Sequence, residues 1–260
     1  LVAARDRFGV KPLCYAITGG AGAKTLLLAS EVKALLAMGL PAAWDSQALH
    51  QALSLQYLLP QQTLFRGAQQ LPPGHLLVVE DGQVTLQRYW DLDYPRQRTT
   101  SAEQGDDSAG DDVHDQAHGQ ALVAALTRAV QRRCQADPDV QVAALLSGGL
   151  DSSVVAGLLA RQSAALTCFC VSFPGGGAYD ELALAQRSAA ALGAELQVIA
   201  APPQALWAAL PQAVAAGEGL AINLHLAAKH LLCAAVRDAG FRVLLTGEGA
   251  DELLGGYAHL

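Results

Sequence analysis

From residue 120 onward the chain repeats one pattern, in which a short apolar run is followed by a stretch with helical spacing and then by another apolar run. The runs are residues 142–146, 166–173, 195–199 and 242–245, and the last is preceded by a helical stretch over 223–239. Apolar strands of this kind need helices over both faces, so the alternation predicts an α/β unit with a parallel sheet flanked by helices. Before the first strand, Leu122, Leu126, Ala129 and Val130 mark one helix face, and Arg128, Arg132 and Arg133 lie toward its C-terminal end, where cations are favoured. Ligands of such sheets bind beyond the carboxyl ends of the strands.

Residues 1–93 read differently. Short β-type segments at 1–4, 13–17, 26–30, 76–80 and 84–89 surround one helix at 31–38, which stops at Gly39 with Pro41 beyond. Asp81-Gly82 suits the positive φ angles of a two-residue hairpin turn. Residues 94–119 hold Glu103, Asp106, Asp107, Asp111, Asp112 and Asp115 with little apolar content, and are expected to be a mobile acidic linker. His114 and His118 lie there at i, i+4 spacing and read as solvated linker residues rather than a metal pair. The expected division is therefore 1–93, linker 94–119, and 120–260.

Composition removes several classes of function. Apolar runs such as 154–160 and 231–236 are too short to span a membrane. With 17 Lys and Arg against 24 Asp and Glu, the net charge of -7 argues against a nucleic-acid face. Five cysteines without a CxxC pair indicate neither a disulfide framework nor a zinc ribbon, and fit a reducing, cytoplasmic setting. The chain begins at Leu1 without Met and ends at Leu260 just after a glycine-rich run, so it is expected to be a piece of a longer protein.

Two loops carry the chemistry. The first, Ser147-Gly148-Gly149-Leu150-Asp151-Ser152-Ser153, follows a strand and opens a helix. Its glycines allow a tight turn with amides turned outward, its serines add hydroxyls, and the helix adds its positive end, which together make an anion site. Asp151 would repel phosphates unless Mg²⁺ lies between them; the plainer reading makes it a helix N-cap. The second loop, Thr246-Gly247-Glu248-Gly249-Ala250-Asp251-Glu252, crowds three carboxylates that would repel one another unless a cation or ammonium group sits among them. Its plainer reading is an exposed acidic turn. Gly19-Gly20-Ala21-Gly22-Ala23-Lys24-Thr25 imitates a Walker loop but lacks the Gly-Lys dipeptide and reads as a hairpin turn.

The first loop resembles the pyrophosphate loop of ATP pyrophosphatases, and the second resembles a signature of glutamine-dependent asparagine synthetases. Arg5-Asp6-Arg7-Phe8-Gly9-Val10-Lys11-Pro12-Leu13, Ala29-Ser30-Glu31-Val32-Lys33-Ala34-Leu35, Leu71-Pro72-Pro73-Gly74-His75 and Tyr89-Trp90-Asp91 resemble the later part of that family's glutaminase domain. The resemblance implies an adenine nucleotide α-hydrolase-like fold of the pyrophosphate-loop type, after a partial α+β glutaminase domain of the N-terminal-nucleophile kind. It implies a ligase in which a carboxylate attacks the α-phosphorus of ATP and ammonia then displaces AMP, turning aspartate into asparagine with glutamine as nitrogen source. The amides and hydroxyls of Ser147, Gly148, Gly149, Leu150, Ser152 and Ser153 would then hold pyrophosphate, and Asp151 and Asp251 would hold Mg²⁺. Leu145 and Val171 would flank the nucleotide, Thr246 and Gly247 would contact AMP, and Glu248 would orient the acceptor or ammonia.

The family's glutaminase uses an N-terminal cysteine. The first cysteine here, Cys14, lies in an apolar strand and reads as core, so these residues alone are not expected to hydrolyse glutamine. The family's catalytic lysine is expected beyond Leu260. Where asparagine synthetases carry an Arg that helps hold aspartate, the matching stretch 218–229 has none, and His225 reads as packing on a helix or contacting another carboxylate. Three functions thus stay open: an asparagine synthetase, a related amidotransferase or cyclase acting on another acid, and a non-catalytic nucleotide-binding relative. A homodimer is an expectation of the resemblance; nucleic acid and membrane partners are not expected.

Overall fold

The structure is a computed structural model that describes residues 1–20, 24–93, 108–135, 140–163, 165–219 and 221–257, with backbone alone at 108–115 and 178. It divides into two compact units, residues 1–100 with 214–223, and 101–213 with 224–260.

The first unit contains β1 (Val2–Ala4), β2 (Cys14–Thr18), β3 (Thr25–Ala29), α1 (Val32–Ala37), α2 (Ser46–Leu55), β4 (Ala68–Gln70), β5 (His75–Glu80) and β6 (Gln83–Arg88). Two antiparallel sheets form, in the orders β3-β2-β4 and β1-β5-β6. The period-two alternation of β2 explains the layering. Cys14 and Ala16 point to Val32 and Leu35 of α1, and Tyr15 points the other way, to Leu71 and Leu77. Cys14 is 4% exposed, core as expected. Asp81 and Gly82 both have positive φ, 50° and 74°, and close the β5–β6 hairpin. Residues 21–23 of the Walker-like stretch lie outside the described residues, but their flanks are the paired strands β2 and β3.

Three of the separated N-terminal motifs form one network. Arg5 donates to the carbonyls of Leu71 (2.7 Å) and Gly9 (3.1 Å), the Gly74 amide donates to the Asp6 carbonyl, and the Tyr89 hydroxyl donates to the Arg5 carbonyl (2.7 Å). Gly74 has φ +66° and would bring a Cβ within 2.5 Å of the Trp90 carbonyl oxygen, so only glycine fits.

The second unit contains α3 (Ser108–Cys134), β7 (Val142–Leu145), α4 (Leu150–Ala160), β8 (Thr167–Ser172), α5 (Leu182–Leu192), β9 (Glu195–Ala200), α6 (Pro203–Gly217), α7 (His225–Asp238), β10 (Val243–Leu245) and α8 (Ala250–Leu254). The final turn of α6, from Val214, groups with the first unit. The strands form a parallel sheet in the order β10-β7-β8-β9. Ala144 and Cys168 face the side covered by α3, α4 and α5, and Ala143 and Phe169 face α7. The sheet is thus covered on both faces, as the unbroken apolar runs require. Sequence order reverses at β7, whose neighbours are β8 on one side and β10 on the other. That reversal is where a ligand crevice is expected.

One expectation is corrected. The acidic linker was to run to residue 119, but α3 begins at Ser108. Its later part is anchored by Val130, which is 5% exposed, and extending a nucleated helix adds a hydrogen bond per residue fixed. Residues 94–107 lie outside the described residues. His118 thus sits on a helix, and among the described residues no group of three His, Cys, Asp or Glu side chains can hold a metal ion. No helix among them is long and apolar enough to cross a membrane.

Candidate functional site

The first chemical loop leaves the carboxyl end of β7 and turns into α4. Gly148 makes the turn with φ +89°, and a Cβ there would lie 2.7 Å from Leu184 Cβ and 3.2 Å from the Glu181 carbonyl oxygen. The turn is therefore pressed against α5 and can be built only with glycine. The Ser152 hydroxyl, nearly buried, accepts from the Ser147 amide (3.2 Å), meets Ser147 Oγ at 3.0 Å and donates to the Gly149 carbonyl (3.1 Å). Ser153 Oγ also donates to Gly149 (2.8 Å). Both hydroxyls, expected to face phosphate, instead hold the loop's shape here. Gly149 is the N-cap of α4 and brings no side chain to it, so the first-turn amides have no partner within the helix. Amides so placed, with the helix dipole behind them, are able to take an anion. Asp151 lies in this first turn but caps nothing, which removes its plainer reading.

The second loop leaves β10, the strand beside β7. A Cβ on Gly247 would lie 2.8 Å from both Asp151 Cβ and the Ser152 amide nitrogen. The two motifs, almost a hundred residues apart in the chain, are thus in direct backbone contact. Gly249 (φ +93°) turns the chain into α8, with Asp251 and Glu252 in its first turn. The crowded carboxylates find different partners. Glu248 takes the Lys229 ammonium at 3.0 Å. The Glu252 carboxylate is held below its ordinary range by its own backbone amide and then by the Tyr257 hydroxyl at 2.8 Å. Asp251 and Asp151 accept no side-chain hydrogen bond or ion pair from the described residues.

Beside the first loop lies a cleft of about 230 Å³. Leu145, Ser147 and Val171 line it, three positions the sequence singled out, while Thr246 stands exposed outside it. Further residues of the cleft wall, Tyr179, Glu181, His225 and Lys229 among them, have no role assigned from the sequence or read as packing. Tyr179 comes from the turn after β8, and His225 and Lys229 lie one helical turn apart on α7. His225 is exposed on this wall and does not pack in the core. The i, i+4 spacing of a His and a Lys on an apolar helix was the available signal for both.

The two carboxylates Asp151 and Asp251 are a donor set that would suit Mg²⁺. That ion keeps several waters and takes one or two protein carboxylates. Asp151 and Asp251 are two half-buried carboxylates that, among the described residues, have no cation partner and no third carboxylate closing a cage around them. Cysteine chemistry is not part of the site: burial pushes the Cys168 and Cys170 thiols up to about 11.

Comparison with known proteins gives the family. Residues 121–260 match the asparagine synthase family and residues 1–90 match the glutamine amidotransferase domain. The chain is 34% identical to amidase chyE of Penicillium rubens, over 99% of its own length and 38% of that protein. It is 33% identical to a putative glutamine-hydrolyzing asparagine synthetase of Mycobacterium tuberculosis, over 99% and 37% respectively. An NH3-dependent NAD synthetase from Campylobacter jejuni is 21% identical, with a TM-score of 0.38 over 54% of this chain and 60% of that one. The chain thus spans well under half the length of the curated relatives it matches. A parallel sheet whose switch point joins a glycine-serine loop to a Gly-Glu-Gly-Ala-Asp-Glu loop, preceded by an antiparallel amidotransferase-type unit, makes this chain a member of the asparagine synthase family.

Proposed function

We propose that the second unit is the ATP-using half of a glutamine-dependent amide ligase, converting aspartate into asparagine through an acyl-adenylate. One observation carries the reading: two loops built for anions and cations leave neighbouring parallel strands and touch through Gly247 and Asp151. A carboxylate oxygen of the acceptor bonds to the α-phosphorus of ATP as the bond to pyrophosphate breaks. Ammonia then attacks the acyl carbon and AMP leaves.

The amides from Gly148 to Ser152 face the leaving pyrophosphate and stabilise the charge it gains in the transition state. Ser147 adds a hydroxyl, and Ser152 and Ser153 keep the loop rigid, so the donors need not reorganise during reaction. Leu145 and Val171 offer apolar contact to the base, while Thr246 and Gly247 approach the AMP portion. Asp151 and Asp251 would hold Mg²⁺, which when bound neutralises the phosphates. Glu248 orients the acceptor or the incoming ammonia. In the first unit the glutaminase relationship supports glutamine as the nitrogen source.

A second reading, the same chemistry on a different acid, is favoured by a cleft wall that has no Arg among its described residues and by the likeness to an amidase. Pyrophosphate exchange into ATP, measured with the full-length protein and a panel of carboxylic acids, separates the two. Aspartate-dependent exchange supports the first, and exchange with other acids alone supports the second. Replacing Asp151 with Asn should abolish Mg²⁺-dependent exchange; unchanged exchange would refute its metal role.

A further inference from the structure

We propose that Lys229 selects the acceptor acid, pairing with a second anionic group of that acid while the reacting carboxylate is turned toward the α-phosphate. The inference rests on the adenylation reading and names the acceptor class: carboxylic acids that carry another carboxylate.

Lys229 is the only Lys or Arg among the described residues lining the cleft, whose inner wall is the apolar pair Leu145 and Val171. A charged acceptor group entering there finds one permanent cation. His225, one turn earlier on α7, lines the same wall, and α7 directs its N-terminal end to that side. The acidic neighbours are Glu181 on the wall and Glu248 on the second loop. Lys229 is 3.0 Å from Glu248, with the two side chains 62% and 63% exposed. An ion pair so open to water is held weakly and exchanges partners readily. Glu248 therefore holds the ammonium at the cleft wall, and an incoming carboxylate can replace it.

The reacting group is not the one paired with Lys229. An oxygen whose lone pairs are tied to an ammonium is a poorer nucleophile, and adenylation needs that oxygen free to bond to phosphorus. The cation serves better on the group that does not react. A site that pairs with a charged substrate group favours the substrate carrying it over the analogue that lacks it, since only the former adds a charge-assisted contact.

The test uses the full-length protein, pyrophosphate exchange, and diacids matched with monoamides: aspartate with its α-amide, succinate with succinamate, glutarate with glutaramate. Wild type should prefer the better diacid over its monoamide by roughly tenfold or more in kcat/KM. Lys229→Ala and Lys229→Gln should bring that ratio within about threefold of one and leave the KM for ATP unchanged, and Lys229→Arg should retain most of the preference. A general structural defect would move the ATP KM as well and would not spare the arginine variant. A preference that survives in Lys229→Ala, or a wild type favouring the monoamides, overturns the assignment of Lys229 alone. A wild type that exchanges with no acid overturns the adenylation reading and this role with it.

Discussion

Gly247→Ala tests the contact between the two loops. The added Cβ would sit 2.8 Å from Asp151 Cβ and from the Ser152 nitrogen, and 2.9 Å from the Asp151 carbonyl carbon. Two of these are backbone atoms, so no side-chain rotation relieves them. Ordinary contact begins near 3.4 Å, which requires the loops to part by about 0.6 Å. Overpacking of this kind costs about 1–3 kcal/mol. For a unit of this size that lowers the melting temperature by about 3–10 °C. The chemical effect should be larger, because a displacement approaching 1 Å at a reacting centre can cost ~10²-fold. Pyrophosphate exchange by the full-length protein should fall by about 10- to 100-fold, while the spectrum of the folded chain is kept. The control is Gly249→Ala, which meets nothing within 4 Å and carries only the strain of φ +93°, about 1–2 kcal/mol. If Gly247→Ala melts with wild type and exchanges at the wild-type rate, the loops do not depend on this contact.

Within the first unit, Glu218 accepts the Val32 and Lys33 amides at 2.6 Å each, from a side chain 15% exposed. Glu218→Ala should destabilise this unit by about 2–4 kcal/mol in urea titration, with Glu218→Gln intermediate; a loss below about 0.5 kcal/mol would refute the capping role. A thiol reagent applied to native protein should modify the exposed Cys233 first and leave Cys14, Cys168 and Cys170 until unfolding, since burial holds those thiols at about 11. The Lys11 amide, with those of Val10 and Phe8, holds the Asp6 carboxyl below its ordinary 3.8. This stabilisation is present above the unfolded value and lost as pH falls through the lower folded one. Asp6→Asn should therefore be less stable than wild type at neutral pH, with the difference shrinking below pH ~4.

The periodic signals were legible because they are local. Asp81-Gly82 makes its hairpin, Gly39 (φ +103°) follows α1, and the apolar runs became the four parallel strands. Helix α2 is absent from the sequence reading: its buried residues are the small Ala48 and Ala52, while the larger Leu53 faces solvent, so no large apolar side chain marks its packed face. Asp45, which accepts the Gln47 and Ala48 amides, was its one sequence signal. Strand β4 is three residues long and gains its place by pairing with β2.

The glycine-serine loop, its strand and its helix were determined by the sequence itself, because turn glycines, apolar runs and helix starts act over a few residues. So were the burial of Cys14 and the presence of carboxylates needing partners. Which partners they found was decided only by the tertiary structure. Placing β10 beside β7 is what puts Gly247 on Asp151, and packing α7 over Phe169 is what carries Lys229 to Glu248. Such pairings join residues 19 to 96 positions apart in the chain, and they follow from the order of strands and the packing of helices, which no local pattern encodes.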